Sequence, residues 1–136
     1  MKRNLMFGIV LTVGVIAGAT GARLLAAQPV PFKATDLLKT DVVGMEGIEV
    51  VVTLVEVAPR ATIGKHTHPG EEFGYLLEGS LEVQIEGKPA ATLKAGDAFF
   101  VPAGTVHAAK NVGSGAAKVL ATYVVEKGKP LASMIK

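Results

Sequence analysis

The sequence predicts an all-β domain, a single barrel or sandwich of short strands. Three observations carry this. Apolar and β-branched runs recur about every ten residues between glycine-marked turns. The chain of 136 residues holds 16 Gly and 7 Pro but no Trp, a composition suited to many tight turns. Beyond residue 27, no stretch sustains the apolar period of a helix. The length suits one domain.

At the N-terminus, Lys2 and Arg3 precede an uncharged apolar run from Leu5 to about Ala19, followed by small residues. This pattern predicts a secretory signal over 1–27, cut after Ala22 or, preferably, after Ala27 to leave Gln28. The alternative is an uncleaved inner-membrane anchor over residues 5–22, the one case that gives the protein a membrane association. In either case the basic flank stays inside and the folded domain lies outside the cytoplasmic membrane, periplasmic or secreted.

Residues 28–46 form a polar, proline-containing lead-in, either linker or edge strand near Leu37 and Leu38. From Gly47 the pattern changes, and a strand is predicted over Ile48–Val57. Valines of both parities leave its facing open, and with it that of Glu49, Thr53 and Glu56. A turn is expected at Ile63-Gly64, a hairpin at Glu78-Gly79-Ser80, and further turns at Glu86-Gly87-Lys88-Pro89, Ala95-Gly96-Asp97, Pro102-Ala103-Gly104 and Gly113-Ser114-Gly115. Between the hairpin at Glu78-Gly79-Ser80 and the turn that begins at Glu86, Leu81, Val83 and Ile85 alternate with Glu82, Gln84 and Glu86, which marks a half-buried strand.

Charge and cysteine content narrow the chemistry. Cleavage after residue 27 removes three of the 14 basic residues and none of the 12 acidic ones. The mature domain is near neutral, so nothing favours a nucleic-acid partner. With no Cys there are no disulfides, thiolate metal sites or thiol nucleophiles. Chemistry falls to His, carboxylates and hydroxyls.

The chain has three histidines, and His66 and His68 are separated by one residue. On an extended strand that spacing puts both imidazoles on one face, where they can share an ion. Alone, such a pair more often marks a solvated strand than a metal site. Glu72 follows beyond the Pro69-Gly70 turn, where the chain can return a carboxylate to the same side, whereas Glu71 reads as solvated. Gly74 and Leu76 share the parity of Glu72, and Ala109 that of His107, so the inward faces look poor in polar groups; Phe73 and Tyr75 lie on the other parity and read as packing.

The spacing resembles that of the cupin superfamily. Its first motif runs Gly, five residues, His-x-His, three or four residues, Glu, six residues, Gly. Here His66-Thr67-His68 is followed by three residues, Glu72, six residues and Gly79. The second motif is matched throughout: Gly96, five residues, Pro102-Ala103-Gly104, two residues, His107, three residues and Asn111. One departure is Arg60, which stands where the first motif opens on glycine, and the loop there is expected to turn differently.

The resemblance implies a single cupin barrel, a double-stranded β-helix or jelly roll, over 47–136. It implies that His66, His68, Glu72 and His107 bind one divalent transition metal ion, with Fe, Mn, Ni, Cu and Zn all compatible. Gly79, Gly96, Pro102, Gly104 and Asn111 would be structural. Three functions follow as alternatives: a metal-dependent enzyme, oxygenase-like or an isomerase or decarboxylase, acting on a small organic substrate; a non-catalytic module in which the metal stabilises the barrel or holds a small ligand; and a metal-free interaction barrel. Cupins often pair through sheet edges, so a homodimer is expected, joined through residues 32–43.

Overall fold

The computed structural model describes residues 30–136; the predicted leader over 1–27 lies outside them. Ten strands follow one another: β1 (Phe32–Asp41), β2 (Ile48–Val57), β3 (Thr62–Thr67), β4 (Gly70–Glu78), β5 (Ser80–Ile85), β6 (Ala91–Lys94), β7 (Ala98–Val101), β8 (His107–Asn111), β9 (Ala117–Glu126) and β10 (Ser133–Met134). They form two five-stranded antiparallel sheets, ordered β1-β2-β9-β4-β7 and β10-β3-β8-β5-β6, the two layers of a jelly roll.

The facing of β2, left open by its valines, is set by pairing with β9 along its full length. Val51, Thr53, Val55 and Val57 point inward to meet Val119, Ala121 and Val125 from β9, and Leu76, Leu81 and Val83 close the core from β4 and β5. Glu49 and Thr53 therefore face in, while Glu56 faces out. On the outer face of the same sheet Phe73 and Tyr75 are each 46% exposed, and the rings of Phe73 and Phe100 stand 5.2 Å apart. These aromatics pack on the outside of the barrel.

The lead-in is a full strand. β1 pairs with β2 from Phe32 opposite Val57 to Asp41 opposite Glu49, with a bulge between Asp36 and Leu38. An extra residue reverses the alternation. Phe32, Ala34 and Asp36 consequently share the inward face with Val57, Val55 and Thr53.

Two loop expectations are corrected. The turn before the histidines lies at Pro59-Arg60, and Ile63 and Gly64 sit inside β3. There the pairing shifts between Ile63, opposite Ala109, and His66, opposite His107. This bulge lets Ile63, His66 and His68 all face inward despite their mixed parity.

Arg60 also departs from expectation, because its φ of 62° is the left-handed conformation that glycine adopts freely. The loop turns with arginine in a glycine conformation, at a cost of about 1 kcal/mol. Arg60→Gly is expected to stabilise the domain by no more than about 0.5 kcal/mol in urea unfolding, after allowance for glycine's freer unfolded chain.

Asn111 ties the elements together. Wholly buried, its Nδ2 donates to the carbonyls of Val57 (3.1 Å), Ala58 (3.2 Å) and Gly115 (2.8 Å), and its Oδ1 accepts from the Gly113 amide (2.9 Å). Its predicted structural role is met by joining the end of β2 to the β8–β9 loop.

Candidate metal centre

His66 and His107 are cross-strand neighbours on β3 and β8, His68 lies just past the end of β3, and Glu72 projects from β4 in the opposite sheet. The group thus spans both layers. Its strands are held closely at two points. The Gly104 amide donates to the His68 carbonyl at 3.1 Å, so the turn before His107 is tied to the first two histidines. Gly70 lies so close to β9 that an added Cβ would stand 2.0 Å from the Val124 carbonyl oxygen, which fixes the start of the strand carrying Glu72.

All four side chains are buried. One ligand nitrogen from each histidine lies within 4.8 Å of the others, so the three histidines are positioned for metal binding. The Nε2 atoms of His68 and His107 are 3.2 and 2.9 Å from Glu72 Oε2. Ligand atoms at right angles around an ion with bonds of about 2.1 Å stand about 3 Å apart, so the carboxylate fits the same set.

Protonation makes the case for a cation. Each Nδ1 faces a backbone carbonyl: Gly64 for His66 at 2.7 Å, Leu131 for His68 at 2.6 Å and Thr105 for His107 at 3.0 Å. A carbonyl only accepts, so Nδ1 carries the proton and a neutral ring turns its Nε2 lone pair inward. His68 Nε2, His107 Nε2 and Glu72 Oε2 then confront one another, buried and acceptor against acceptor, with no hydrogen bond of good geometry. A shared cation resolves this arrangement, as does an extra proton on a ring.

Without metal the electrostatics follow the second route. Burial would raise the Glu72 carboxyl, but a ring of His107 or His68 that has taken up the extra proton faces it as donor and as charge, which outweighs burial and holds the pKa at about 2. Burial lowers His66, with further lowering from the other two rings. Burial works the same way on His107, but Glu72 and the Thr105 carbonyl push it up overall. Because the folded pKa of Glu72 lies below its ordinary 4.5, its contribution is complete above pH 4.5 and lost as pH falls towards 2. Metal-free protein should therefore lose on the order of 3 kcal/mol through Glu72 across that interval. Urea titrations at pH 5 and pH 2 in wild type and Glu72→Gln check this, the variant lacking that component.

The group opens into a cavity of about 150 Å³ whose walls are mainly apolar. Phe99 reaches inward because position 74 is glycine; a Cβ there would stand 2.1 Å from its ring. Of the three polar candidates on β2, only Thr53 lines the cavity, where it donates to Asp36 Oδ1 at 2.9 Å. Glu49 is instead paired with Lys39 at 3.2 Å. Two polar cavity residues escaped the sequence reading: Asp36, whose facing depends on a bulge, and Tyr123, set on a face of β9 that is otherwise Ala and Val. The Tyr123 ring lies 4.6 Å from that of His68, and burial, with the charges of Glu72 and Asp36, pushes its phenol up, so it stays protonated at neutral pH.

A two-sheet jelly roll with three histidines converging between its layers has the architecture of a cupin barrel. The cupin domain model matches residues 53–123, more than half of the chain, and the protein belongs to that family. It is 35% identical over 85 residues to germin-like protein subfamily 2 member 2 of Arabidopsis thaliana, a match covering 59% of this chain and 39% of that protein. It is 36% identical over 67 residues to the tetracenomycin polyketide synthase protein TcmJ of Streptomyces glaucescens, covering 48% and 44%. Among solved structures, an oxalate oxidase in complex with the substrate analogue glycolate superposes with a TM-score of 0.63 at 26% identity, covering 80% of this chain and 57% of that one. The matches thus span about two fifths of these curated relatives.

Proposed function

We propose that this protein is a mononuclear metal enzyme, oxygenase-like, acting on a small organic substrate, with His66, His68, Glu72 and His107 as metal ligands. The observation that carries the proposal is the meeting of His68 Nε2, His107 Nε2 and Glu72 Oε2 without mutual hydrogen bonds at an apolar cavity. Three imidazoles and one carboxylate leave an octahedral divalent ion two positions for water, dioxygen or a bidentate substrate. A cavity of this size takes a molecule on the scale of benzene, which suits a compact acid more than a sugar chain or peptide. The oxalate oxidase that superposes on the chain holds such an acid, glycolate.

The test is to load purified protein separately with Fe(II), Mn(II), Ni(II), Cu(II) and Zn(II), then follow oxygen uptake and product formation over a panel of small hydroxy and dicarboxylic acids. Turnover that is lost in Glu72→Gln supports the proposal. A second reading, a non-catalytic module holding a small ligand at the metal, draws on the apolar walls. Saturable binding of panel members with none consumed would favour it and end the enzyme reading.

Export and pairing belong to the same proposal. Lys2 and Arg3 ahead of the apolar run support a periplasmic or secreted location, and a mature mass beginning at Gln28 is expected. A homodimer is supported by β1, an edge strand whose residues are all exposed and which carries Leu37 and Leu38 at 57% and 53% exposure. Natural edge strands are normally guarded, and a second copy would cover this one. Light scattering should give twice the chain mass, falling to one chain in Leu38→Lys; a monomeric wild type contradicts the pairing.

A further inference from the structure

The three imidazoles differ in where their orienting carbonyls come from. His66 and His107 use carbonyls two residues back along the chain, Gly64 and Thr105. His68 instead depends on Leu131, 63 residues away, across the shortest of the three bonds at 2.6 Å. That carbonyl belongs to a short strap, residues 131–136, which returns to the barrel after a turn at Gly128 (φ 78°).

The strap is fastened along the edge of β3. Ser133 pairs with Thr67 and Met134 with His66, and the Ile135 amide donates to the Lys65 carbonyl at 2.9 Å. Leu131, Ala132 and Met134 line the cavity. The Met134 methyl is fitted against the β3 bulge, 3.2 Å from where a Cβ on Gly64 would stand. Yet Met134 and Ile135 remain 59% and 47% exposed. A two-residue edge strand that buries so little apolar surface opens at low free-energy cost.

We propose that residues 131–136 form a detachable wall of the metal centre, in which Leu131 is a positioning residue for His68 and Met134 sets the size of ligand admitted. This rests on the metal reading given above. When the strap is docked, the Leu131 carbonyl holds the proton on His68 Nδ1 and aims Nε2 at the ion. When it is released, the ring loses that restraint and the cavity widens beside His66. Docking and metal binding must then favour each other reciprocally.

The test uses Co(II), whose visible absorption reports its ligands. Three chains are compared: the full chain, one stopped at Ala132, which keeps the Leu131 carbonyl but loses β10, and one stopped at Pro130, which loses both. The chain stopped at Pro130 should bind Co(II) about 10- to 100-fold more weakly, with an altered spectrum. The chain stopped at Ala132 should keep affinity within about threefold of the full chain, because removal of this orienting carbonyl is what costs 10- to 100-fold. Its spectrum should respond to mandelate as well as glycolate, whereas the full chain responds to glycolate alone; Met134→Ala should shift the full chain the same way.

Hydrogen exchange on the full chain supplies a check that no folding defect can mimic: the Ile135 amide should exchange more slowly once Co(II) is bound. Unchanged Ile135 exchange, or equal affinity and spectra in all three chains, overturns the proposal. A full chain that takes up no Co(II) overturns the metal reading and the strap's role together. Full-chain binding without any strap effect overturns the strap alone.

Discussion

His107→Ala is expected to weaken divalent metal binding by roughly a hundred- to a thousandfold. Structural four-ligand zinc sites supply about 10–16 kcal/mol, or roughly 2.5–4 kcal/mol for each ligand. The position is central to the group: His107 is the cross-strand partner of His66, and its Nε2 is the nitrogen nearer to Glu72 Oε2, at 2.9 Å against 3.2 Å for His68. The metal-free protein should lose stability as well, because Glu72 loses the ring that faces it at 2.9 Å, so only the metal-dependent part of the change reports ligation. Competition against a chelator of known affinity gives the binding constant, and melting curves with and without metal separate binding from folding. Wild-type melting should rise with metal concentration, as for any ligand bound only by the folded state, and the variant's should stay nearly flat. Equal metal-induced shifts in the two proteins would remove His107 from the ligand set.

Asn111→Ala is expected to cost about 3–4 kcal/mol of stability, with metal-binding residues untouched. The side chain is fully buried and serves three carbonyls and one amide. Deleting it leaves those groups without their partner, at about 1 kcal/mol or more for each that water cannot reach. Asn111→Asp should be comparably harmful, because a carboxylate would face three carbonyl oxygens. Urea unfolding with an unchanged denaturant slope is the measurement. A loss below about 1 kcal/mol would mean that water replaces the amide and that the β8–β9 loop is not held in this way.

The four candidate ligands could be read from the sequence because period-two alternation and motif spacing both constrain them. His66 and His68 share a face whatever their strand pairs with, and the turn through Pro102-Ala103-Gly104 fixes where His107 enters. The surroundings of the group depend on long-range register, which local pattern does not encode. One extra residue at Leu37 decides that Asp36 looks into the cavity, and the bulge after Ile63 decides that His66 does. Tyr123 was hidden because the inward face of β9 is otherwise Ala and Val, so that its ring reads as one more core side chain. The contact between Leu131 and His68 joins residues 63 apart and lies beyond either motif. Arg60 shows the reverse, since the glycine missing from the motif altered the residue and left the turn's backbone conformation in place.

The central claim, that His66, His68, Glu72 and His107 form one metal centre, is tested most directly by metal stoichiometry. Metal-free protein is incubated with excess Mn(II), Fe(II), Co(II), Ni(II), Cu(II) or Zn(II), freed of unbound ion by gel filtration and analysed for metal and protein. About one tightly held ion per chain is expected for at least one of these metals, falling to near zero when His66 and His107 are both replaced by alanine. Retention well below one ion per chain for every metal, or retention unchanged by the double substitution, would contradict it.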